Sequence, residues 1–401
     1  MRRSAVRELL RVTAQPDMIS FAGGLPAGEL FPIEAVAEAA GRVLKRRGSE
    51  ALQYGETEGV GELRDWIAER FSTGRVRVSR DNVLITTGAQ QALDLIGRIF
   101  LDSGDEVVVE NPSYLALLSA WRPWGVRFLP VPSDEEGMQV KSLKPLLNRG
   151  PKLVYINPNF QNPQGTTLSA SRRMRMLGLL REHETVLVED NPYGALRYGG
   201  EPLPDLFELD ARSASGGGVE SGIIYTGTFS KVLMPGLRVG WAIAAREVID
   251  RMVQAKQSAD LHTSTLAQHL ALELIEAGVH ERMLPVLIEN YRARRDRMLA
   301  ALEAYFPVEA AWTRPEGGMF LFLTLPSGMD AWKLLPMALA RQVAFVPGEE
   351  FHLGGEGRNT MRLNFSHSSP DRIEEGIKRL AEVVKLGMGK GCISKAANTV
   401  E

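Results

Sequence analysis

Between Asp81 and Thr228 two hydrophobic patterns alternate along the chain. One is a short run in which nearly every position is apolar or β-branched: VLIT (83–86), EVVVE (106–110), KLVYIN (152–157), TVLVED (185–190) and GIIYTGT (222–228). The other is a longer stretch with apolar residues every three or four positions, as in QQALDLIGRIFL (90–101) and SRRMRMLGLLREHE (171–184). Runs that lack a polar face predict strands of a parallel sheet covered on both sides, and the alternation predicts an α/β unit over roughly residues 50–280. Upstream, Val36, Ala39, Ala40, Val43 and Leu44 recur at helical spacing. They predict a helix from about Ile33 to Arg47, with Gly48 as its stop. Downstream, HERMLPVLIENYRARRDRMLAALEAY (280–305) reads as a long charged helix. GGMFLFLTL (317–325) and TMRLNFS (360–366) read as strands, and SPDRIEEGIKRLAEVVKL (369–386) as a closing helix with Ser369 as N-cap. The last fifteen residues, GMGKGCISKAANTVE, are expected to be a mobile tail.

Bulk properties narrow the classes. At 401 residues, two domains are expected. A net charge of −2 gives no basic surplus for nucleic acid. The single Cys392 allows no internal disulfide or zinc cluster, and His183, His262, His269, His280, His352 and His367 show no metal spacing. They are taken as structural, with His262 near a subunit interface. No apolar run reaches the length of a membrane span, and the basic N-terminus lacks a signal-peptide core. A cytoplasmic protein is expected.

Ligands of such sheets sit in the loops at the carboxyl edge. Five loops matter: TTGAQQ (86–91), NPSY (111–114), NPNFQNPQG (157–165), DNPYG (190–194) and TFSK (228–231). Lys231 follows a buried-type strand in a run with few other charges. A lysine so placed has a depressed pKa and can attack an aldehyde. Thr228, Ser230 and Arg238 are groups suited to a phosphate, as are the free N–H groups where TTGAQQ opens a helix at Ala89 and Gln90. An aldehyde and a phosphate on one small molecule suggest pyridoxal 5'-phosphate. Its ring nitrogen needs a carboxylate, which Asp190 can supply. Tyr193 and Asn162 can reach its ring oxygen, and Tyr114 can stack on its face. Taken singly, each of these is as readily a turn or packing residue.

Taken together, the loops resemble those of the aminotransferase class I/II family of fold-type I pyridoxal-phosphate enzymes. TFSKVLMPGLRVGW, VEDNPY, NPNFQNPQG and TTGAQQALD carry the resemblance, with SFAGGLPAGELFP, ALQYGETEG, RPEGGMF and NTMRLNFS in support. It covers about residues 4 to 385 and is nearest the subgroup of α-aminoadipate aminotransferase and kynurenine aminotransferase II. The resemblance implies a large domain (49–280) with a mostly parallel sheet sandwiched by helices. It implies a smaller α+β domain formed by the N-terminal segment (1–48) and the C-terminal region (281–401).

By position, the resemblance implies Lys231 as Schiff-base lysine and proton shuttle, with Asp190 on the ring nitrogen and Asn162 and Tyr193 on the ring oxygen. Tyr114 stacks, and Ala89, Gln90, Thr228, Ser230 and Arg238 hold the phosphate. Tyr54 resembles a tyrosine reaching the neighbouring subunit's phosphate, which implies a homodimer with shared sites. Arg362 resembles the arginine that clamps the substrate α-carboxylate, with Asn162 and Gly24 beside it. Arg7 resembles one that meets a distal carboxylate. Thr228 and Ala89 stand where serine is common, so Ala89 offers the phosphate only its backbone N–H. The implied reaction is ping-pong amino transfer between an amino acid (2-aminoadipate, glutamate, leucine or an aromatic one) and a 2-oxo acid such as 2-oxoglutarate. A lyase with the same cofactor is the alternative. A cofactor-sensing regulator is disfavoured, since about twenty residues precede SFAGGLP, fewer than a winged helix needs.

Overall fold

A computed structural model describes residues 17–213, 219 and 222–397, with side chains to residue 389. Arg7 lies outside the described residues. The strands, in chain order, are β1 (Ile19–Ser20), β2 (Val83–Thr86), β3 (Glu106–Asn111), β4 (Arg127–Asp134), β5 (Gly137–Met138), β6 (Leu153–Ile156) and β7 (Val186–Asp190). They continue as β8 (Ile223–Thr228), β9 (Gly240–Ile243), β10 (Ala311–Trp312), β11 (Phe320–Thr324), β12 (Val343–Ala344), β13 (Val346–Pro347) and β14 (Thr360–Asn364).

Eight strands form one sheet in the order β2-β9-β8-β7-β6-β3-β4-β5. The five from β8 to β4 run parallel, as the unbroken apolar runs of β3, β6, β7 and β8 predict. β9 lies antiparallel between β2 and β8. Alternate residues feed two buried layers. Leu84, Val107, Val109, Leu153, Tyr155, Val188, Ile224 and Ala242 face one side, under the helices Ala89–Phe100 and Arg246–Ala259. Val83, Ile85, Val108, Val154, Ile156, Leu187, Ile223 and Ile243 face the other, which packs on the helix Ala170–Glu182.

A second sheet, β10-β11-β14-β13, is antiparallel throughout, and β1 pairs in parallel with β12. The Ala22–Gly24 segment after β1 therefore lies beside the C-terminal sheet, where the Asn364 N–H donates to the Phe21 carbonyl.

The first helix breaks where it was expected to end: its dihedrals leave the helical region at Arg47 (φ −131°), and a further turn beyond that kink carries the element from Ile33 on to Ala51. The closing helix begins at Pro370 and continues past the expected helix-to-tail boundary at Leu386 to Ala397. The periodicity of Ile373, Ile377, Leu380 and Val384, all buried, nucleates a helix that propagates into residues with little preference of their own.

Candidate active site

The site is built from the carboxyl ends of β6, β7 and β8, the start of the helix after β2, and β14. Asp190 ends β7 and pairs in register with Thr226 of β8. Tyr155, Asp190 and Thr226 share one face of the sheet by strand parity. The Asp190 carboxylate, 2% exposed, accepts from the Tyr155 hydroxyl and the Thr226 hydroxyl, each at 2.8 Å. Burial raises its pKa to about 6, and the two hydroxyls pull against that rise. Among the described residues no cation pairs with it.

Lys231 follows β8 in a tight turn and is half-buried. Its Nζ donates to the Gly24 carbonyl at 2.9 Å. Burial, then the guanidinium groups of Arg362 and Arg238, push its pKa down to about 8. The Thr228 hydroxyl donates to Ser230 Oγ at 2.9 Å and accepts from the Ser230 N–H at 3.1 Å. Arg238 sits at φ +53° after the turn Pro235–Leu237, and donates to Ser230 Oγ and to the Thr87 carbonyl. Gly88 is required here. Its φ is +75°, and a Cβ would lie 2.5 Å from Arg238 Nη2. Gly240 of β9 serves the same end. A Cβ there would lie 2.6 Å from the Ala89 N atom, so glycine lets the strand pass beneath the helix start. Ala89 and Gln90 open that helix, where N–H groups lack intrahelical partners, and together with the Thr228, Ser230 and Arg238 side chains they supply donors of the kind that can hold a phosphate.

Asn162 joins three elements. Its Oδ1 accepts from Arg362 Nη1 at 2.8 Å, and its Nδ2 lies 3.5 Å from the Tyr193 hydroxyl. Burial raises the Tyr193 pKa well above normal and that of Tyr114 to about 12, so both phenols stay protonated donors. Arg362, on β14, is 5% exposed and lies between two rings, 4.2 Å from the Phe320 centroid and 5.0 Å from that of Phe351. Its Nη2 donates to the Ala22 carbonyl at 2.7 Å, its Nε has no partner, and no carboxylate pairs with it among the described residues. Burial lowers its pKa to about 10, and the guanidinium remains charged.

Pyridoxal phosphate fits this set on three counts: a buried carboxylate without a counter-cation, a cup of N–H, hydroxyl and guanidinium donors, and a lysine of lowered pKa. Tyr54 stands apart, 78% exposed, its ring edge-on to His262 at 5.8 Å. Gln90 is exposed and donates to the Ala116 carbonyl at 3.1 Å. Sequence reasoning missed Tyr155, Thr226, Phe320 and Phe351. For the first two a signal existed: both have the strand parity of Asp190. Nothing local marks Phe351, which meets Arg362 only through the tertiary fold.

The family described as aminotransferase class I and II matches residues 16–380. An aromatic-amino-acid aminotransferase of Thermococcus litoralis is 45% identical over 97% of this chain and 93% of its own length. A 2-aminoadipate transaminase of Thermus thermophilus is 47% identical, over 95% and 94%. The solved structure of LysN, the α-aminoadipate aminotransferase of Thermus thermophilus, complexed with N-(5'-phosphopyridoxyl)-L-leucine, superposes with a TM-score of 0.90. It is 44% identical, covering 97% of this chain and 96% of that one.

Proposed function

The chain belongs to the aminotransferase class I and II family and is a pyridoxal-phosphate-dependent aminotransferase, and on that premise we propose its substrates and the work of each residue. The donors are 2-aminoadipate and glutamate, with leucine and aromatic amino acids accepted as well, and the acceptor is a 2-oxo acid such as 2-oxoglutarate. The names of the relatives support the 2-aminoadipate and aromatic donors. The observation that carries the reading is Arg362: a buried guanidinium with, among the described residues, a free Nε and no anion, close enough to Lys231 to lower its pKa.

When bound, pyridoxal phosphate supplies an aldehyde carbon to take up the amino group and a ring that accepts an electron pair. Asp190, kept anionic by Tyr155 and Thr226, holds a proton on the ring nitrogen. Asn162 and Tyr193 bind the ring oxygen, and Tyr114 covers the ring face. Ala89, Gln90, Thr228, Ser230 and Arg238 anchor the phosphate. Arg362 takes the substrate α-carboxylate as a bidentate pair, beside Asn162 and the Gly24 carbonyl. That grip fixes the torsion about the Cα–N bond. The Lys231 amine, half neutral near pH 8, would shuttle one proton between the substrate Cα and the cofactor's aldehyde-derived carbon, outward in the first half of the ping-pong cycle and back in the second.

The protein is proposed to act in the cytoplasm as a homodimer. Exposed Leu52, Tyr54 and Leu261 support a subunit contact through which Tyr54 reaches the neighbouring phosphate. Arg7 is assigned to the distal carboxylate of acidic donors. Arg7→Ala should raise KM for 2-aminoadipate far more than for leucine, and equal changes would refute the assignment.

A donor panel with 2-oxoglutarate as acceptor tests the whole reading. Aminoadipate, leucine and aromatic amino acids should each yield glutamate and their own 2-oxo acid. Ammonia or pyruvate released without consumption of 2-oxoglutarate would point to a lyase instead.

A further inference from the structure

We infer that Asn157 is a positioning residue: its single side-chain amide fixes the spacing between the loop that carries Asp190 and the loop that carries Asn162, and so the seat of the cofactor ring. The inference rests on the roles proposed above for those two residues.

Asn157 follows β6 and is 2% exposed. Its Nδ2 donates to the Asp190 carbonyl at 2.6 Å, and its Oδ1 accepts from the Asn162 N–H at 2.8 Å. Its own N–H donates to the buried Glu110 carboxyl, at the end of β3, at 2.9 Å. Three separate segments therefore meet at one residue. Neither of its side-chain polar atoms bonds to Lys231, Arg238 or Arg362.

The geometry needs an amide. The two loops present a carbonyl and an N–H, so the bridge must donate on one side and accept on the other. Aspartate lacks the donor, leucine lacks both groups, and serine is too short to span the gap. Glu110 holds the base of the bridge, because its carboxyl is seated by the Asn157 N–H and its burial leaves it no other place to go.

The consequence passes directly to the site. Asp190 would meet the ring nitrogen and Asn162 the ring oxygen, two points held at a fixed separation by one rigid ring. An error in the spacing of the two loops cannot be absorbed by turning the ring. It would also move the Asn162 side chain, the hydrogen-bond partner of Arg362. The more ordinary alternative is that Asn157 only stabilises a proline-rich turn.

The test uses apoprotein titrated with pyridoxal phosphate, followed by absorbance. The pH midpoint of the bound cofactor's visible band and the melting temperature of the apoprotein are read alongside. For Asn157→Ala the loss of two buried hydrogen bonds predicts about tenfold weaker cofactor binding. The band midpoint should move in the direction seen for Asn162→Ala. Asn157→Ser, which keeps a polar group that reaches neither loop, should behave alike and serves if the alanine variant does not fold. A lower melting temperature with unchanged affinity and unchanged midpoint would overturn the inference, leaving Asn157 a turn residue. Asp190→Asn and Asn162→Ala are the reference variants. Were both also silent, the roles proposed for Asp190 and Asn162 would fall, and this inference with them.

Discussion

Replacing Arg362 by alanine should cost the enzyme its hold on the α-carboxylate and spare its chemistry on amines that have none. The guanidinium is already desolvated between Phe320 and Phe351, and Asn162 and the Ala22 carbonyl fix its plane. Little ordering remains to be paid when a carboxylate arrives. Two charge-assisted hydrogen bonds of about 1.5–3 kcal/mol each give roughly 3–6 kcal/mol. At about 1.4 kcal/mol per factor of ten, kcat/KM should fall by ~10²–10⁴. Arg362→Lys keeps the charge but loses the flat fork that the rings embrace, and about 10–10²-fold is expected. Stopped-flow absorbance of the first half-reaction reads the effect, comparing leucine with a primary amine that lacks a carboxylate. Because Arg362 also donates to Asn162, cofactor affinity is measured in parallel and should change by no more than about fivefold, the loss of one hydrogen bond being worth about 1 kcal/mol or less. Equal losses for the amino acid and the plain amine would refute the reasoning, since the arginine would then be acting on the cofactor.

Lys231→Ala should lower turnover by at least ~10²–10⁴-fold, the worth of a positioned base. Cofactor should still bind through Asp190 and the phosphate cup, and borohydride reduction with peptide mapping should find no labelled peptide in the variant. The rate at which apoprotein captures the cofactor should rise with pH, reach half its maximum near 8 and level off above that, because the attacking form of Lys231 is the neutral amine and its folded pKa is lowered to about 8. A rise centred near the ordinary lysine value would contradict the burial argument. Gly88→Ala puts a methyl group 2.5 Å from Arg238 Nη2 at φ +75°, so strain of about 1–3 kcal/mol should weaken cofactor affinity by one order of magnitude or more. Equilibrium titration reads it, and an unchanged affinity would remove Arg238 from the phosphate cup.

The parallel strands were legible because burial on both faces leaves an unmistakable run of apolar residues. The strands that escaped had a physical disguise. β4 carries Pro130 and Pro132, normally marks against a strand, but it lies next to the sheet edge and can spare their missing N–H groups. β9 is only Gly240–Ile243, and its glycine exists for the neighbouring helix start, not for strand propensity. The loop residues could be assembled into one site because each sits where a strand ends. The partners of Asp190 were not named, although Tyr155 and Thr226 share its strand parity. Phe320 and Phe351 embrace Arg362 across distances in sequence that no local pattern encodes.

Asp190 has a further meaning for the life of the protein. Before the vitamin arrives, the fold carries in its interior an anion held by two hydroxyls but with no cation beside it among the described residues, so the empty chain is the less durable one. Ligand at a hundred times its dissociation constant adds about 2.7 kcal/mol of stability. Cells short of vitamin B6 should therefore hold less of this protein, and not only less of its activity. Pulse-chase turnover in depleted and replete cells would show it, and identical half-lives would argue that the lone carboxylate is borne without cost.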